Sequence, residues 1–70
     1  MKANMNKLKG KIVEAGTTRE AIADCIGIDR STFYRKMKSG GEAFTIGEVH
    51  KIVSAIPLTT EEAMEIFLSN

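Results

Sequence analysis

An all-α fold of five short helices is what this 70-residue sequence predicts, and three features carry that expectation. Apolar residues recur at three- and four-residue spacing, whereas strand-like alternation is nowhere sustained. Thr stands three residues before Glu at Thr17/Glu20, Thr45/Glu48 and Thr59/Glu62, each ahead of a periodic stretch. At that spacing the hydroxyl accepts from one free backbone N–H while the carboxylate returns to another, closing a helix start. Gly16, Gly27, Gly40, Gly41 and Pro57 fall between the periodic stretches, where a chain must turn.

The first helix is expected over about residues 4–15, with Met5, Leu8, Ile12 and Ala15 on one stripe and Gly16 ending it in a left-handed conformation. The second covers about 18–25 and buries Ala21, Ile22 and either Cys25 or Ile26. Asp29 is a natural cap for the third, over about 30–38, whose inward residues Phe33 and Met37 are four apart. The fourth covers about 46–55, with Ile46, Val49, Ile52 and Val53 apolar, and Pro57 keeps it from running into the fifth, over about 60–68.

The whole length, 1–70, fits one small domain with a lean core. An apolar fraction of 43% and a charged fraction of 27% are those of a folded chain in water. The longest apolar runs reach two or three residues, so neither a transmembrane span nor a signal peptide is expected. The lone Cys25 cannot form an internal disulfide; a reducing, cytoplasmic location is the simplest reading, with Cys25 as a small buried hydrophobe.

Net charge is only +1, yet it is unevenly spread. Residues 1–41 hold nine of the ten Lys/Arg against four acids, a balance of +5, and residues 42–70 hold Lys51 against five Glu, a balance of −4. Within the basic half, Arg30, Arg35, Lys36 and Lys38 crowd into the stretch "GIDRSTFYRKMKSGG". With Phe33 and Met37 turned inward, Arg30, Ser31, Tyr34, Arg35 and Lys38 face outward, and Thr32 and Lys36 lie on the flanks. Those are the side chains of groove readers: Arg for guanine edges, Ser and Thr for bases or phosphates, Lys for phosphates. The turn before them, "CIGID", is very short; Gly27 can take a positive φ there, and the small Ala23 lets the flanking helices approach.

The stretch "TREAIADCIGIDRSTFYRKM" resembles the helix-turn-helix of the Cro and lambda-repressor-like family of phage and bacterial regulators. The resemblance rests on Ala23, Gly27, the aliphatic Ile28 and the polar "RST" that opens the next helix. It implies a compact five-helix DNA-binding domain accounting for residues 5–68, with helices 2 and 3 as the motif and helix 3 in the major groove. The family's base-contacting positions fall on Arg30, Ser31, Thr32 and Arg35. Arg19 would hold a phosphate or support Arg30, and Tyr34, Lys38, Ser39 and Gly40 would meet the backbone. The sequence departs from the family at Lys36, where a bulky apolar residue is usual. Met37 takes over that packing, which leaves open which of Tyr34, Arg35 and Lys38 points at bases.

Other features are read more plainly. Lys2, Lys7, Lys9 and Lys11 either steer phosphates or form a solvated face, and Gly10 either permits close packing or is a tolerated surface residue. The single His50 and single Cys25 have neither zinc-ligand spacing nor the third group of a catalytic triad. "SGG" at 39–41 lacks the length and Lys of a phosphate loop. Residues 63–68 are apolar on more than one side of a helix, which fits either a buried terminal helix or a homodimer contact through Met64, Phe67 and Leu68.

The expectation is therefore a transcriptional regulator that occupies a palindromic double-stranded operator as a homodimer. It is not an enzyme, and neither cofactor, metal, small-molecule ligand nor membrane is expected. The rival reading is a protein-interaction module, antirepressor-like or antitoxin-like, on the same fold.

Overall fold

Five α-helices follow one another in the computed structural model, which describes residues 4–68. They are α1 (Met5–Glu14), α2 (Arg19–Ile26), α3 (Arg30–Lys38), α4 (Ile46–Ala55) and α5 (Thr60–Phe67), and no strand occurs among the described residues. Lys2 lies outside them. The radius of gyration, 10.7 Å, is close to the roughly 11 Å of a folded chain this long.

Each helix end has a local cause. Asn4 caps α1 by accepting from the Lys7 N–H at 3.1 Å. At its far end Gly16 (φ +71°) donates to the Val13 carbonyl and Thr17 to the Ile12 carbonyl, satisfying two orphan acceptors. That closure occupies Thr17, so the expected capping box with Glu20 does not form. Thr18 caps α2 instead, accepting from the Ala21 N–H at 3.1 Å. Thr45/Glu48 and Thr59/Glu62 do close complete capping boxes at the starts of α4 and α5. Ile56, held extended before Pro57, ends α4.

The core gathers Leu8 and Ile12 from α1, Ile22, Ala23 and Ile26 from α2, Phe33 and Met37 from α3, and Ile52, Ile56 and Ile66 from the last two helices and their link. Helix α2 packs against both α3 and α4, and α1 packs against α5. Phe44, in the α3–α4 connection, is buried although no periodicity marks it. Its ring meets Phe33 edge-on at 5.5 Å between centroids and Phe67 at 6.4 Å, so one chain of aromatics joins α3 to α5.

Several expectations of burial are corrected. Cys25 is exposed. Ile22, Ala23 and Ile26 form the buried arc of α2, and Cys25 lies roughly 60° outside its edge. Ala21 is half-buried, and Ala15 is exposed because it follows the last turn of α1. Ile46 is 90% exposed, about 120° around α4 from the buried Ile52. A Cβ at Gly10 would meet nothing within 4 Å, so that glycine is a surface residue and not a packing device. Lys7 and Lys11 do not form an open cationic face either: they pair with Glu65 and Glu62 and clasp α1 to α5.

Candidate nucleic-acid interface

The turn between α2 and α3 sets the orientation of the cationic helix. Gly27 ends α2 at φ +79°, which an L side chain rarely adopts. Its N–H and that of Ile28 both donate to the Ala23 carbonyl, and the Ala23 side chain is fully buried below. Asp29 then caps α3 by accepting from the Ser31 N–H at 2.9 Å. A nine-residue helix is thus started by a fixed cap and held by Phe33 (0% exposed) and Met37 (4%).

That anchoring divides the other side chains of α3 into three rows. One row, Arg30 and Tyr34, faces α2. Arg30 pairs with Asp24, its Nη2 donating to Oδ2 at 2.8 Å and its Nε to Oδ1 at 3.4 Å. This hydrogen bond holds the Asp24 carboxyl below its usual range and raises the Arg30 guanidinium above its own. The Arg19 guanidinium, at the start of α2, lies over the Tyr34 ring, 5.1 Å from its centroid.

The opposite row, Thr32 and Lys36, faces away from α2. Lys36 donates to both oxygens of Glu48 on α4, at 2.6 and 2.9 Å, and its ammonium lies 5.9 Å from the Phe44 ring centre. That bond, with a second from the Thr45 N–H, lowers the Glu48 carboxyl below the ordinary range. Lys36 therefore occupies the expected apolar place as one half of a half-buried ion pair, while Met37 is buried in the core.

The middle row is open to solvent: Ser31, Arg35 and Lys38 are all exposed. Arg35 reaches along its own helix to donate to the Thr32 hydroxyl at 3.1 Å, a neutral partner that leaves its charge uncompensated. Ser39 is exposed at the end of α3, but its hydroxyl donates to the Lys36 carbonyl at 3.0 Å. Its N–H is bonded to the Arg35 carbonyl, so both of its protons are engaged. Arg19, Arg30, Arg35 and Lys38 thus surround one polar surface. The sequence-predicted residues come together, with Thr32 half-buried at its edge. Asp24 and Glu48, which position two of the cations, were not anticipated: each is separated from its partner by a turn, where helical spacing carries no information.

A second surface lies between α4 and α5. Only Ile66 of α5 is fully buried; Met64 and Leu68 are each 53% exposed and Phe67 is half-buried. With Ile46, Val49 and Val53 they line an open apolar groove of about 830 Å³. Among the described residues no His, Cys, Asp and Glu cluster could hold a metal ion, and no helix is long and apolar enough to cross a membrane. Comparison with family models, curated proteins and solved structures finds no match to this chain.

Proposed function

We propose that this chain is a sequence-specific double-stranded-DNA-binding regulator with a lambda-repressor-like helix-turn-helix, in which α2 crosses the backbone and α3 enters the major groove. The observation that carries this reading is the exposed face of α3: Ser31, Arg35 and Lys38 stand open, bordered by Arg19 and Arg30, on a helix anchored through two buried residues. Arg30, Ser31, Thr32 and Arg35 would meet base edges, and Arg19, Tyr34 and Lys38 would meet phosphates. Ser39 would reach a phosphate only by giving up its bond to Lys36.

The reading includes a homodimer through α5, with Met64, Phe67 and Leu68 at the contact. Two α3 helices roughly 34 Å apart would then read successive major grooves of a palindromic operator. Regulation would be steric, by occupation of a phage or prophage operator in the cytoplasm, with no chemical step. The α4–α5 groove favours a second reading, in which the same fold is an interaction module for a partner protein.

Selection of bound sites from a random duplex pool, followed by gel shifts at two salt concentrations, tests both. A palindromic motif and a binding constant that falls steeply with salt are expected. Absent or salt-insensitive binding would remove the DNA reading and leave the interaction module.

A further inference from the structure

We infer that Asp24 determines what Arg30 reads, by holding one edge of its guanidinium so that the other edge forms a fixed fork for guanine. The inference rests on the DNA-binding proposal and concerns one position of the operator. A guanidinium carries five N–H donors in a plane, with no acceptor. Nε and Nη2 are directed at the two oxygens of Asp24. Two donors are engaged there and three remain, including one on each terminal nitrogen that point away together. That end-on pair has the spacing of guanine O6 and N7 in the major groove.

The arrangement discriminates in two ways. An arginine already held in one geometry loses less rotamer freedom on binding, which favours a contact demanding two aligned bonds. The Asp24 carboxylate also offsets the charge of Arg30 and repels a phosphate, whereas guanine offers neutral acceptors. Arg35 provides the contrast within the same helix. Its contact is the neutral Thr32 hydroxyl, so its charge is not offset and it can be drawn to phosphates as well as to base edges. Both members of the Arg30–Asp24 pair are more than half exposed, so the pair adds little to folding. Its consequence falls on recognition.

The test is site selection with the wild type, Asp24→Asn and Arg30→Ala, followed by binding to the selected duplex and a scrambled one, with a thermal melt of each protein. The wild type is expected to select guanine at one position of each half-site. Both variants should lose that preference, with discrimination at the position falling roughly tenfold. Asp24→Asn should also bind the scrambled duplex more tightly and with a steeper salt dependence, and it should melt with the wild type. Retained guanine preference in Asp24→Asn would overturn the inference. So would a uniform gain in affinity without change of preference, since Asp24 would then merely mask Arg30. A wild type that binds no duplex removes the DNA reading and this inference with it. A wild-type motif that Asp24→Asn reproduces removes the inference alone.

Discussion

Helices α3 and α5 are nearly equal in length, nine and eight residues, and both begin at a capped N-terminus, yet they leave opposite chemistry in solvent. Helix α3 buries Phe33 and Met37 and presents Ser31, Arg35 and Lys38. Helix α5 buries Ile66 and, with Leu68 at its C-terminal cap, presents Met64 beside an apolar groove. Their cations and acids are also used differently. Lys7 and Lys11 on α1 neutralise Glu65 and Glu62 of α5, so charge near α5 serves as an internal clasp. On α3 Lys36 is spent that way in a half-buried pair and Arg30 in an exposed one with Asp24, while Arg35 and Lys38 stay open at the surface. The contrast teaches that a small domain can leave different chemistry on different faces while sharing one core, because the Phe33–Phe44–Phe67 chain ties both helices to the same interior.

The shared core is the most sensitive point of both faces. Phe33→Ala removes the fully buried ring that α3 contributes, and a loss of about 3–5 kcal/mol is expected from the cavity left behind. In a domain this small both faces should fail together, read as a collapse of the cooperative transition in circular dichroism melts. Survival of either surface would mean that the helices are not supported by one core.

Surface substitutions act on one face at a time. On the DNA-binding proposal, Arg35→Ala should weaken operator binding by about 1–3 kcal/mol in competition assays while the thermal midpoint stays near the wild type. On the proposal of a homodimer, Leu68→Glu places a charge on the apolar face and should convert the dimer to a monomer in sedimentation, with far-UV helicity retained. An unchanged sedimentation coefficient would remove the proposed dimer contact through α5.

The smallest expected effect concerns the clasp. The Lys11 ammonium donates to the Glu62 carboxylate, and with the Thr59 N–H it lowers that carboxyl from an ordinary 4.5 to about 2. A depressed folded-state pKa stabilises fully above the ordinary value and is lost as pH falls from about 4.5 towards about 2. Melts of the wild type and Glu62→Gln should therefore differ at neutral pH and converge across that window. Parallel curves would show that the α1–α5 pair contributes nothing to acid sensitivity.

Much of this organisation was legible in the chain because it is local. The bounds 30–38 and 46–55 follow from Asp29, from the Thr45/Glu48 box and from the glycines and Pro57 beyond them. Phe33 and Met37 lie four apart, which alone puts them on one side of α3 and the cations on the others. Such signals operate within a turn or two of helix, where backbone geometry relates neighbours in sequence to neighbours in space. The charge asymmetry and the mixed apolar face of α5 were readable for the same reason.

The remaining features arise between the helices. The burial of Phe44 from a connection, the outward position of Cys25, the Lys36–Glu48 pair and the Asp24 partner of Arg30 all depend on how α2, α3 and α4 rotate against one another. Even Thr17 was claimed by the end of α1 before it could start α2. Periodicity specifies which side of a helix is apolar, but ridge-and-groove packing settles which neighbour each flank meets. Spacing along the chain gives α3 a polar, cationic face; packing against α2 and α4 sets which of those cations are held and which are left open.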